Sequence, residues 1–91
     1  MDWFTETARY GMYELQIIQF LGRFRYELWW SSETSRTLVG KGSEQYADFY
    51  DARYAAVLHL TTILPKAQAD RLMCSQAELL WEAWPNPHGG H

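Results

Sequence analysis

Between Gly22 and Gly42 the chain reads Arg23-Phe24-Arg25-Tyr26-Glu27-Leu28-Trp29-Trp30, then Ser31-Ser32-Glu33-Thr34-Ser35, then Arg36-Thr37-Leu38-Val39-Gly40-Lys41. Phe24, Tyr26, Leu28 and Trp30 alternate with Arg23, Arg25, Glu27 and Trp29, and a period of two sends successive side chains to opposite faces of a strand. Ser31 to Ser35 has the composition of a polar turn. The stretch is predicted to be a β-hairpin, and the rest of the chain must cover its apolar face.

A helix competes with strands over Tyr10 to Trp30, because Tyr10, Tyr13, Ile17, Phe20, Leu21, Phe24 and Leu28 share one stripe of a helical wheel. That helix would hold Gly11 and Gly22 in its interior, each costing about 0.8–1 kcal/mol relative to alanine. It would set Glu14 and Arg25 among apolar neighbours, and leave residues 31 to 42 as a long connection without structure. The extended reading removes all three conflicts. Tyr13, Leu15 and Ile17 go to one face, Glu14 and Gln16 to the other, and Gly22 takes a turn position where positive φ is needed. The expected class is α+β, a three-stranded antiparallel meander followed by two α-helices. The alternative is all-α, with a long N-terminal helix and two more.

Residues 1 to 9 read as a short helical turn or a loose arm anchored by Trp3 and Phe4. After Gly42 the period changes: Ser43 is the expected N-cap, and Tyr46, Phe49, Tyr50, Val57, Leu60 and Leu64 recur at helical spacing. Glu44, Asp48, Asp51, His59 and Thr62 form the opposite, solvated face. Arg53 falls on the apolar side, so its head group must reach past its neighbours to solvent, stack on tyrosine or pair with a carboxylate. Pro65 ends this helix and opens a second, expected from about Lys66 to Trp84, with Trp81 on its polar side beside Glu78 and Glu82. Residues 1–84 read as one domain. Residues 85–91, rich in proline and glycine, read as a flexible tail.

Five Trp, six Tyr and four Phe in 91 residues make aromatic burial the main source of stability. The net charge is -3, yet Arg9, Arg23, Arg25, Arg36 and Lys41 lie in the first half and Glu44, Asp48, Asp51, Asp70, Glu78 and Glu82 in the second, which implies a two-sided molecule. Cys74 stands alone, so no internal disulfide forms. No stretch approaches about 18 consecutive apolar residues, and the first residues lack a basic segment followed by an apolar one. The expectation is a cytoplasmic protein with no membrane partner.

Catalytic and metal-binding chemistry finds little support. Gly40-Lys41-Gly42-Ser43 lacks the spacing of a phosphate-binding loop and reads as a strand end. His59, His88 and His91 do not form a ligand set for a metal, and His59 reads as a solvated helix residue. Glu44, Asp48 and Asp51 read as a solvated acidic face, and Cys74 has no neighbouring base in sequence. No catalytic residue, metal or cofactor is expected, and the chain reads as non-enzymatic.

The functional expectation falls on the outer face of the proposed sheet. Arg23, Arg25, Glu27 and Trp29 lie there with Glu14, Gln16 and Arg36, and Trp and Arg are the side chains most enriched at binding hot spots. Trp81 is the further candidate. Gly22 to Trp29, then Leu38-Val39-Gly40-Lys41-Gly42, then Tyr46-Ala47 leading to Ala52, resembles the small βββα domains of short bacterial accessory proteins and phage anti-CRISPR inhibitors. That resemblance covers about half the chain. High aromatic content, asymmetric charge and the lack of a catalytic constellation lead to the expectation of a small protein that binds another protein or a nucleoprotein complex, as a phage-type inhibitor does, through the Arg/Trp sheet face or the acidic helix face. Direct nucleic-acid binding by the sheet arginines and a homodimer built on the exposed aromatics are the other expectations.

Overall fold

The computed structural model describes residues 3–83. Its elements are β1 (Trp3–Tyr10), β2 (Tyr13–Phe20), β3 (Arg23–Ser31), β4 (Arg36–Lys41), α1 (Phe49–Ile63), α2 (Lys66–Ser75), a 3₁₀ turn over Gln76–Glu78 and β5 (Glu82–Ala83). The class is α+β, and the strands form one antiparallel sheet in the order β4-β3-β2-β1-β5. Five strands replace the three expected. Residues 10 to 30 are strands and not a long helix.

Two tight turns set the register. Tyr10 pairs with Tyr13 across Gly11-Met12, where Gly11 has φ 62°, and Phe20 pairs with Arg23 across Leu21-Gly22, where φ is 53° and 76°. Two positive φ angles in succession give the turn whose twist matches the flanking strands, but the first position favours asparagine over leucine. Leu21 is 81% exposed, so no burial offsets its backbone strain. Leu21→Asn is expected to stabilise the fold by about 1 kcal/mol, read from denaturant unfolding.

Both helices lie on one face of the sheet. Leu15, Ile17, Tyr26 and Leu28 meet Ala52, Ala56, Val57 and Leu60 of α1 and Leu64 just beyond its end, with Leu72 of α2 completing the core. The alternation in β3 thus divides as expected, with Tyr26 and Leu28 buried and Phe24 packed at the margin. Ala52 and Ala56, both fully buried, let α1 come close to the strands.

The start of α1 differs from expectation. After β4 the chain stays beside β3, where Phe24 and Tyr46 exchange backbone hydrogen bonds of 2.7 and 2.6 Å. That extended pairing postpones the helix, and Asp48 replaces Ser43 as N-cap, its carboxylate accepting from the Tyr50 amide at 2.8 Å. Glu44 and Asp48 therefore precede the helix, and the expected three-carboxylate face does not form.

The second helix is shorter than expected. The Ser75 hydroxyl donates to the Arg71 carbonyl at 2.8 Å, a local bond that competes with the helical ladder, and α2 ends there. The chain then extends so that Glu82 and Ala83 pair with Thr7 and Glu6 of β1. Residues 1 to 9, expected as a helical turn or arm, from Trp3 on belong instead to β1, the strand that receives this pair. The tail expected at 85–91 lies outside the described residues.

His59 is not a solvated residue. Its Nδ1 lies 2.9 Å from the Tyr26 hydroxyl, and the two rings meet edge to face. The end of β4 passes over this pair on glycine. A Cβ at Gly40 would lie 2.9 Å from the His59 ring, and one at Gly42 would lie 2.6 Å from the Tyr26 ring. Because hydrogen bonding and burial fix the Tyr26 ring, Gly42→Ala should cost about 1–3 kcal/mol of stability in thermal or denaturant unfolding.

Candidate functional site

Along β3, Arg23, Arg25, Glu27 and Trp29 occupy the face opposite the helices. Cross-strand pairing brings Glu14, Gln16 and Ile18 of β2 beside them on one side, and Leu38 and Lys41 of β4 on the other. Arg9 and Thr7 of β1 join through their pairing with Glu14 and Gln16, and Arg36 pairs with Ser31 at the end of β4. Five of the six expected site residues, Arg23, Arg25, Glu27, Trp29 and Arg36, thus share one surface.

The centre of this surface is a polar network. The Arg36 guanidinium stacks over the Trp29 ring at 4.0 Å and donates to Glu14 Oε2 at 3.3 Å, with Arg9 3.7 Å from the other Glu14 oxygen. Trp29 Nε1 donates to Glu27 Oε1 at 3.2 Å, and Arg25 Nη1 donates to Glu27 Oε2 at 3.0 Å. Trp29 is accordingly half-buried and oriented, with Arg36 over its ring and its Nε1 bonded to Glu27.

Exposure is concentrated at the rim. Glu14, Gln16 and Ile18 are buried, whereas Arg9, Arg23, Arg36, Leu38 and Lys41 reach solvent. Leu38 was not expected in the site. Its place opposite Trp29 follows from a bulge that skips Val39, so that Leu28 pairs with Gly40 and Trp29 with Leu38. The signal lay in register, which one strand's alternation does not supply.

Cations outnumber carboxylates on this face: Arg9, Arg23, Arg25, Arg36 and Lys41 against Glu14, Glu27 and Glu82. The balance is reversed on the helical side, where Glu6, Glu44, Asp48, Asp51, Asp70 and Glu78 exceed Arg53, Lys66 and Arg71. The sheet face is therefore the more positive side of an acidic chain, with exposed Glu33 in the turn between β3 and β4 at its end.

Two side chains at its centre carry an unmet demand. Gln16 and Thr7 face each other across β1 and β2, and Gln16 Oε1, Gln16 Nε2 and Thr7 Oγ1 are buried without hydrogen-bond partners. Each such atom costs about 1–3 kcal/mol relative to a satisfied one. An apolar pair would serve folding better here.

Trp81 is not part of this surface. It lies in the extended segment before β5, on the helical side, with its ring 5.1 Å from the Arg53 guanidinium. Tyr50, Arg53, Tyr54, Gln76, Leu79 and Trp81 line a cleft of about 360 Å³ there. Arg53 pairs through Nε and Nη2 with both oxygens of Glu6 on β1, the second at 2.7 Å, and also stacks against Phe49 and Tyr50. Both expected roles of Arg53, stacking and pairing, are realised together, and the hydrogen bond to Glu6 raises its already high pKa. A guanidinium so engaged ties β1 to α1 and leaves the cleft without a free charge.

The titrating group with a clear consequence is Tyr26. Burial, followed by the nearby Tyr46 and Glu44, raises its pKa above the ordinary 10.0. The unfolded chain therefore loses this proton first, and stability falls as pH climbs past 10.0 towards the folded-state value. Tyr26→Phe is expected to flatten that alkaline slope in unfolding experiments, and to cost about 1 kcal/mol at neutral pH through the lost bond to His59.

Among the described residues, no group of three or more His, Cys, Asp or Glu converges as metal ligands, and no helix is long and apolar enough to cross a membrane. Cys74 is exposed on α2. A scan against protein-family models and searches of curated proteins and solved structures found no match to this chain.

Proposed function

We propose that this chain is a small non-enzymatic binding module that captures another protein, or a nucleoprotein complex, on the outer face of its sheet. One observation carries the reading: Arg36 stacked on an oriented Trp29, beside exposed Leu38, on a positive face of an acidic protein. Trp and Arg held in one geometry before binding lose little rotamer freedom on contact, which is what makes such pairs hot spots. The charge selects an acidic partner surface and speeds encounter with it. An inhibitor that covers an acidic surface of a bacterial protein or of a CRISPR-type complex is the form of this activity that the β3-to-α1 resemblance suggests.

Alanine at Trp29 and Arg25 is expected to abolish co-purification with the partner while the circular dichroism spectrum stays unchanged. A folded double variant that still binds would reject the site. Direct nucleic-acid binding is a second reading, favoured by the five cations, and it predicts affinity that falls steeply and linearly in log salt. Weak salt dependence would eliminate it.

A further inference from the structure

We infer that the free edge of β4 takes up an extended acidic segment of the partner as an additional strand. The inference rests on the binding role proposed above and names the element that enters and the chemistry it selects.

Among the described residues the sheet has two edge strands of unequal length: β5, two residues, paired with β1, and β4, six residues, paired with β3. Arg36–Lys41 contains no proline, and Arg36, Thr37, Leu38 and Lys41 are exposed. Such an edge presents unpaired backbone donors and acceptors, a template for one more strand.

Charge decides which strand fits. A second copy of β4, paired antiparallel over all six residues, would set Arg36 opposite Lys41 at both ends, and like charges directly opposite are destabilising. An acidic strand reverses the sign of both contacts. Arg36 and Lys41 lie on the same outer face, with Leu38 between them, so the complementary segment carries carboxylates towards its ends and an apolar side chain at its middle. The bulge at Val39 twists the strand locally and keeps the docked segment short, about five residues. Docked there, the segment lies beside Leu38 and the Arg36–Trp29 stack, continuous with the proposed binding face.

The test uses the full chain, isotopically labelled, and an acetylated, amidated heptapeptide with glutamate at its second and sixth positions, valine at its fourth and threonine elsewhere. A second peptide has lysine in place of each glutamate. The glutamate peptide is expected to slow amide hydrogen exchange along residues 36–41 by about tenfold or more at millimolar concentration, with the lysine peptide without effect. Lys41→Glu, at an exposed position, should abolish the preference between the peptides. Absence of protection along β4, equal protection by both peptides, or protection confined to another element would overturn the inference.

The two proposals fail separately. If β4 shows no protection while Trp29→Ala still abolishes partner capture, the edge inference falls and the face remains. If the glutamate peptide protects β4 while Trp29→Ala leaves capture intact, the edge stands and the Trp29 site falls.

Discussion

Replacing Arg53 with alanine is expected to lower the unfolding free energy by about 3 kcal/mol and the midpoint of thermal unfolding by about 15 °C. Glu6 sits on β1 at 8% exposure, and Arg53 supplies its counter-charge from α1 through two hydrogen bonds. Removing one partner of a buried pair leaves the other desolvated and uncompensated, which costs more than the pair contributed. The loss also removes a guanidinium packed against Phe49, Tyr50 and Trp81, so three elements loosen together. Arg53→Lys should recover less than half, because an ammonium can neither pair with both oxygens in this fork nor stack flat on the rings. The combination of Glu6→Gln and Arg53→Met, which removes both charges, should be less destabilising than Arg53→Ala alone. A measured loss under about 1 kcal/mol for Arg53→Ala would place the pair among ordinary surface ion pairs.

The second large effect is on binding. Trp29→Ala is expected to weaken partner affinity by about 30-fold or more, the loss of one hot-spot side chain. Trp29 presents its ring to Arg36 and its Nε1 to Glu27, so the substitution also releases the two side chains that frame it. Trp29→Phe keeps a ring beneath the guanidinium but loses the bond to Glu27, and should fall between wild type and alanine. Equilibrium titration against the purified partner, with unfolding measured in parallel, separates this from a stability effect. Unchanged affinity in a folded Trp29→Ala protein would remove the residue from the interface.

The fold was legible where one strand carried its own pattern. Arg23 to Leu28 showed two faces because polar and apolar residues alternate there, and the structure places Tyr26 and Leu28 against α1 as that alternation required. Gly22 marked the turn because few other residues accept its φ. What lay beyond reach depended on pairing between distant segments. Trp3–Tyr10 mixes aromatic, charged and threonine residues without clear alternation, and it becomes a strand because β2 and β5 flank it. Glu82–Ala83 has no strand signal, and Trp81 looked helical because leucines and alanines upstream continue the period of α2. Ser43 was a sound N-cap by residue type, but Tyr46 holds the preceding chain in an extended bridge to Phe24. Within the site, charge and aromaticity identified five side chains. The register that adds Leu38, Arg9 and Lys41 came only with the sheet.

The closing strand has a kinetic consequence. β1 to β4 are joined by short turns, so their ladders form from near neighbours and their closure entropy is small. The two-residue ladder between Glu6–Thr7 and Glu82–Ala83 instead joins segments from opposite ends of the described chain. It should be the last contact made in folding and the first to open under native conditions. Its opening would expose the β1 edge beside Glu6 before the core loosens, so the first-formed and last-formed parts of this sheet meet at the strand that anchors Arg53.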